Sequence, residues 1–270
     1  MGRSTRQDFE GGWHHVMNRG AARRQVFFTR SDGEAFERLL AKGCELVGAQ
    51  VHAYCLMTNH FHLLLHLPQG GLSSFMHRVG TLYARRINDR LESDGPVFKS
   101  RFHSIVVDSA SYLDRVGRYI HRNPIDLPHV GRLDAYRWSS YRCYVGKAGR
   151  PGWLTTDVLG DMHNGPSDYR MFVEGETESS VSCPGVLRWA IETALHELAP
   201  TDDVEPQWLD RVVATLMLDR ASGARHTLLA RQVTFPSPPA KRMAMMRARQ
   251  RAAACPELLA VADRALELVA

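Results

Sequence analysis

The eighteen residues Gln50 to Leu67, QVHAYCLMTNHFHLLLHL, constrain the fold more than any other part of this 270-residue chain. Two apolar stretches flank Met57-Thr58-Asn59, whose turn chemistry suits two adjacent strands joined by a tight connection rather than one helix. A segment this apolar must be buried, so the rest of the fold has to be built around a hairpin.

Around it the pattern alternates. Trp13 to Asn18 reads as a first strand, followed by a turn at Arg19-Gly20. Ser31-Asp32 precedes Glu34 to Val47, where Phe36, Leu39, Leu40 and Leu46 recur at helical spacing and Gly48 supplies a stop. After Pro68-Gln69-Gly70-Gly71, Leu72 to Leu91 is again helical in period. Phe102 to Val107 reads as a strand, and Ser109 as the N-cap of a helix from Ala110 to about Arg122. Asn123-Pro124 should end that helix, because a residue before proline is pushed out of the α region. The order β, α, β, β, α, β, then helix predicts an α+β domain with an antiparallel sheet and helices on one face. Trp138 to Tyr144 is expected to close the same core. Beyond Pro151 the pattern is mainly helical, over Ser167 to Val173, Val186 to Leu198, Pro206 to Leu218, Ala240 to Ala253 and Pro256 to Val269, with Thr234 to Pro239 as an extended linker.

Composition narrows the classes. Lys and Arg number 34 against 29 Asp and Glu, a net charge of +5 that is compatible with a polyanionic partner. Five cysteines, odd in number and without a CxxC pair, argue against a disulfide framework or a zinc knuckle. No apolar leader opens the sequence, and no run reaches the roughly 18 apolar residues of a membrane span. A cytoplasmic, unexported protein with no membrane partner is the expectation.

The pair His60-Phe61-His62 carries the most chemistry. Alternation along a strand puts both imidazoles on one face, with Cα atoms about 6.5 to 7 Å apart, close enough to share one ion. Such a pair by itself suits structural histidines equally well; His66 has the same parity and reads as an edge residue. Further along, YIHRNP places Tyr119 and Asn123 four apart on one helical face. The Asn123 amide oxygen is a candidate third ligand, with His121 as the other, and Tyr119 is a candidate nucleophile for a polarised phosphorus. Tyr112, seven residues earlier, competes for that role from a poorer position. His14, His15, His52, His77 and His103 read as surface and packing residues, and Tyr83 and Phe102 as core. A buried core tyrosine is the bland alternative for Tyr119.

The strings WHHVMNRG, HAYCLMTNHFHLLLHLP, FKSRFHSIVVDSASYL, YIHRNP and WSSYRCYVG, in this order, resemble the REP-associated tyrosine transposases, a branch of the HUH single-tyrosine transposases. The likeness runs from Trp13 to about Gly146. It implies a ferredoxin-like HUH domain in which His60 and His62 are metal ligands and Tyr119 is the nucleophile. Asn123 falls where relatives carry the glutamine of YxxxQ, one methylene longer. It also implies Mg²⁺ or Mn²⁺, a single-stranded DNA substrate beside a palindromic REP-like hairpin, and cleavage and rejoining through a 5′-phosphotyrosine. Relatives act as dimers with shared sites, whereas this branch resembles monomers; either state is open, as is association with the nucleoid.

Arg19, Arg23, Arg24, Lys99 and Arg101 are candidate phosphate contacts. The expected division is a catalytic domain over residues 1–148 and a helical region over 149–270. In the latter, the basic stretch AKRMAMMRARQRAAA suits either an accessory DNA-binding helix or a helix packed through its methionines. Two further readings stay open: a domesticated relative that binds hairpin DNA or RNA without cutting, and a hydrolase using activated water.

Overall fold

The computed structural model describes residues 8–127 and 130–175, and, further on, 190–191, 193–194, 213–218, 220–221, 229, 233, 243–246, 248–249, 252–253 and 257–268. The chain forms two compact units, 1–175 and 176–270.

In the first unit the described residues give β1 (Gly12–Arg19), α1 (Arg30–Val47), β2 (Gln50–Leu56), β3 (His60–Leu67), α2 (Leu72–Leu91), β4 (His103–Val106) and α3 (Ala110–Arg122). The sheet runs β2-β3-β1-β4 with every neighbouring pair antiparallel. This is the split β-α-β arrangement of a ferredoxin-like sheet, so the α+β expectation holds. β3 sits in the interior of the sheet, which explains its nearly unbroken apolar sequence.

Alternation sorts the sheet into two faces. Phe61, Leu63, Leu65 and Leu67 form one core with Val16, Leu56, Phe36 and Leu40 of α1, and Phe75, Val79 and Tyr83 of α2. His60, His62 and Leu64 face the other way. The register pairs Arg19 with His60, Met17 with His62 and His15 with Leu64, so those β1 residues share this second face. α3 packs there, against β2 and β3. The expectation of helices on one face therefore describes α1 and α2 but not α3. His15, Met17, His62 and Leu64 are all buried and need the cover that α3 provides.

Local chemistry sets the element ends. The Asp32 carboxylate accepts the N–H groups of Thr29 (2.9 Å) and Phe28 (3.1 Å), so it caps α1 from within the first turn and the helix begins at Arg30, a turn before Glu34. Gly48, at φ 69°, ends it in the left-handed conformation, its N–H bonded to the Cys44 carbonyl. The Asp8 carboxylate accepts from Gly71, Leu72 and Ser73 at the start of α2.

Asn123 departs from the proline rule. It keeps α geometry (φ −44°, ψ −40°) ahead of Pro124, and the chain continues as a 3-10 turn over Asn123–Asp126. Its backbone N–H and its side-chain Nδ2 both donate to the Tyr119 carbonyl, which holds it on the helix.

Trp138 to Tyr144 lies along the β2 edge, as expected for part of this core. Leu56 N–H donates to the Trp138 carbonyl (2.8 Å), and the Tyr144 hydroxyl to the His52 carbonyl (2.6 Å). Three short helices follow, α4 (Tyr141–Tyr144), α5 (Asp157–Asp161) and α6 (Pro166–Glu174). The first unit extends to Gly175, past the boundary expected at residue 148, because α6 anchors on α3. Arg118 donates to the Phe172 carbonyl (2.8 Å) and Arg122 to that of Val173 (2.6 Å).

In the second unit, α7 (Glu257–Leu268) carries Asp263, which pairs with Arg220. Residues 213–218 are helical, with Val213, Leu216 and Met217 buried. Of the expected helices 186–198, 206–218 and 240–253, only parts are described, and the 234–239 linker, Lys241, Arg242, Arg247 and Arg251 lie outside the described residues. Met243 and Met246 are exposed, so neither is packed away. Among the described residues no helix is long and apolar enough to cross a membrane.

Candidate active site

β3 begins at His60, and its pleat aims His60 and His62 at α3. Their ring centroids are 5.1 Å apart with planes at 87°. Tyr119, in the last turn of α3, stands edge-on to His62, centroids 5.2 Å apart, with Oη 3.5 Å from His62 Nε2. One turn on, Asn123 Oδ1 is 3.4 Å from His60 Nε2. The four residues singled out in the sequence are thus brought together, two from a strand and two from one helical face.

The hydrogen bonds assign the donor and acceptor atoms of this cluster. His60 Nδ1 is 2.7 Å from Asn59 Oδ1, which can only accept, so Nδ1 carries the proton and Nε2 presents a lone pair. Asn123 Nδ2 is committed to the Tyr119 carbonyl at 3.1 Å, so its Oδ1 is the atom turned to His60. Two acceptors therefore face each other, an arrangement that a cation between them would satisfy. Among the described residues no group of three His, Cys, Asp or Glu side chains could hold a metal ion. An ion here would have two imidazoles and one amide oxygen from the protein, leaving positions for phosphate oxygen and water.

His15, expected among the surface and packing residues, stands against this cluster. Its Nε2 is 3.0 Å from His62 Nδ1, and its ring meets Tyr119 at 5.7 Å. Burial, with His103 adding to it, pushes its pKa down to about 3, so it is neutral. No motif marks it; its parity on β1 becomes informative only once the β1–β3 register is known.

His121, the rival third ligand, faces elsewhere. It is wholly buried between the Tyr169 hydroxyl and the Ser140 hydroxyl, each 2.7 Å away. Burial pushes its pKa down to about 3. Tyr112 is buried near the start of α3, and the ring contacts to His15 and His62 are made by Tyr119. His66 bonds Gln50 and stacks on Trp13 at the opposite end of β3. Tyr83 and Phe102 are buried, as expected of core residues.

The five basic candidates sit on segments that converge near His60. Arg19 ends β1 opposite His60, but it is only 5% exposed. Lys99 N–H donates to the Arg19 carbonyl (2.9 Å), and Arg101 is exposed two residues on. Arg23 and Arg24 are exposed; the Arg23 carbonyl accepts from Asn59, and Arg24 reaches the Pro96 carbonyl (2.6 Å).

Residues 9–123 match the family model of the IS200-like transposases. This segment is similar to the IS200-like transposases. It begins just before β1 and ends on Asn123, so the matched segment contains His15, His60, His62, Tyr119 and Asn123. The chain is also similar to a solved structure of a REP-associated tyrosine transposase bound to a REP hairpin, over 58% of this chain and 93% of that one, at 18% identity and a TM-score of 0.46. No curated protein sequence matches the chain significantly.

Proposed function

We propose that this protein cleaves and rejoins single-stranded DNA beside a REP-like hairpin, with Tyr119 as nucleophile. The 3.5 Å approach of Tyr119 Oη to His62 Nε2 is the observation that carries this reading. It joins a nucleophile to a pair of imidazoles within the segment similar to the IS200-like transposases. In the cleavage step an Oη–P bond forms as the P–O3′ bond breaks. The phenol proton is lost, the 3′ oxygen leaves as a hydroxyl, and the strand stays attached as a 5′-phosphotyrosine. Attack by an incoming 3′-hydroxyl reverses this chemistry and joins the strands.

His60, His62 and Asn123 would hold a divalent ion, Mg²⁺ or Mn²⁺, which when bound supplies Lewis-acid polarisation of a non-bridging phosphate oxygen. His15 orients His62, and the Tyr119 carbonyl orients Asn123. Arg23, Arg24, Lys99 and Arg101, with the largely covered Arg19, would guide the phosphate backbone. The hairpin partner rests on the family resemblance carried by the sequence strings between Trp13 and Gly146. Residence in the cytoplasm beside the nucleoid, as monomer or homodimer, completes the reading.

The test uses a hairpin oligonucleotide labelled at its 3′ end. Wild-type protein with Mg²⁺ or Mn²⁺ should retain the label as a covalent adduct through denaturing electrophoresis, and Tyr119→Phe should not. Adduct formation by Tyr119→Phe would remove the nucleophile assignment. Chelator-insensitive hairpin binding without any nick would favour a purely binding role, and a free 5′-phosphate product would indicate attack by water.

A further inference from the structure

A cavity of about 480 Å³ opens on the α1 side of the β2–β3 turn. Its walls include Phe28, Met57, Tyr136 and Trp138, and Arg30 and Arg137 stand among its lining. The volume falls in the range of small-molecule sites, roughly 300 to 1,000 Å³, which admits one unpaired nucleotide.

Three features define what it would take. The first is an aromatic lining, in which Phe28 is exposed and Trp138 half-buried. Phe28 is 39% exposed, with the Arg90 guanidinium 5.0 Å from its ring centroid, and Arg137 lies 5.2 Å from the Trp138 ring. Aromatic faces backed by guanidinium groups suit a π-face ligand. The second is charge. Arg30 and Arg137 both pair with Glu34, at 2.8 and 3.3 Å, with Arg38 and the half-buried Glu37 beside them, so three cations stand against two carboxyl groups. The third is rigidity. A Cβ on Gly33 would meet the Trp138 ring at 2.4 Å, so the indole lies directly on the α1 backbone, and the Tyr136 hydroxyl is tied to the Leu56 carbonyl at 2.7 Å.

Its place in the fold links it to the cluster around Tyr119. Met57, in the cavity wall, donates its N–H to the carbonyl of His60 at 2.8 Å across the turn. Arg23 and Arg24 come close to the same turn through the Arg23 carbonyl and Asn59. A strand presenting a phosphate to Tyr119 and continuing over the turn would bring a neighbouring unpaired base to the cavity mouth.

We infer that this cavity binds one unpaired nucleobase of the single strand on which Tyr119 acts, by stacking on the exposed Phe28 ring with Trp138 in the wall, while Arg30 and Arg137 meet the adjoining phosphate. The inference rests on the proposed strand-transfer function.

The experiment uses the full-length Tyr119→Phe protein, which binds without turnover, and hairpin oligonucleotides carrying 2-aminopurine at successive unpaired positions beside the stem. One position should be quenched on binding. Trp138→Leu and Phe28→Leu, each added to Tyr119→Phe, should remove that quenching and weaken binding about tenfold, the scale of one lost base–aromatic stack. Arg137→Ala, at an exposed rim position, should weaken binding several-fold while the quench persists at saturation. No quenched position, or unchanged affinity in all three variants, overturns the inference. Adduct formation by wild-type protein is scored separately. Adduct with no quenching removes the cavity's role alone. Quenching that depends on Trp138, without any adduct, removes the strand-transfer reading and leaves the base site standing.

Discussion

His15 Nε2 lies 3.0 Å from His62 Nδ1, and the two rings are 0% and 1% exposed. One nitrogen of the pair must donate. With Nδ1–H of His62 as donor, its Nε2 lone pair points toward Tyr119 and is available to ligate. Outer partners of this kind commonly tune ion affinity by roughly 10- to 100-fold. His15→Phe keeps a ring in the cavity but removes the partner, so the divalent-ion concentration giving half-maximal adduct should rise by at least tenfold. Stripping the buried Nδ1 of that partner should also cost about 1–3 kcal/mol of stability in chemical denaturation. An unchanged ion requirement would confine His15 to packing.

The basic residues near His60 are expected to act through charge. Removing one phosphate contact from a single strand should reduce the slope of log K against log salt by about 0.7. Arg23→Ala and Arg101→Ala, both exposed, should each do so whatever the sequence of the strand. Filter binding over a salt series measures it, and parallel slopes for variant and wild type would exclude these side chains from the DNA path.

His52 makes stability pH-dependent. It is fully buried, neither ring nitrogen has a hydrogen-bond partner, and burial, with His66 adding to it, pushes its pKa down to about 4 from 6.5. Below pH 6.5 the unfolded chain binds a proton that the folded chain refuses. The stabilisation is therefore complete above pH 6.5 and is lost as pH falls toward 4. The limiting slope for one such group is about 1.4 kcal/mol per pH unit. His52→Leu should flatten the urea midpoint between pH 6.5 and 4.5 relative to wild type. Equal pH slopes would mean that His52 can be protonated in the fold.

Gly33→Ala should lower stability by about 1–3 kcal/mol, as overpacking usually does, although alanine favours the helix itself. The new methyl group would push the Trp138 ring off α1. A blue- or red-shift in tryptophan emission should accompany the loss, and a variant as stable as wild type with unaltered emission would refute the contact.

Much of the fold was legible because it rests on local rules. The bounds of α2 and the Met57-Thr58-Asn59 turn follow from periodicity and turn chemistry, and Gly48 ends α1 because it alone takes φ 69° there without strain. Local rules also misplaced details. Asp32 reads as a residue before the helix, yet it caps from inside, since a carboxylate in the third helical position reaches back to the free N–H groups. Asn123 reads as a helix stop, yet its side chain holds it on the helix.

The candidate site residues follow from residue order: alternation placed His60 and His62 on one face, and a spacing of four placed Tyr119 and Asn123 on another. Folding was needed to bring these two faces together, to turn His121 inward to Tyr169 and Ser140, and to set His15 behind His62. The reason is that periodicity acts within one element, whereas register between strands and the choice of sheet face for α3 are fixed by burial of side chains distant in sequence.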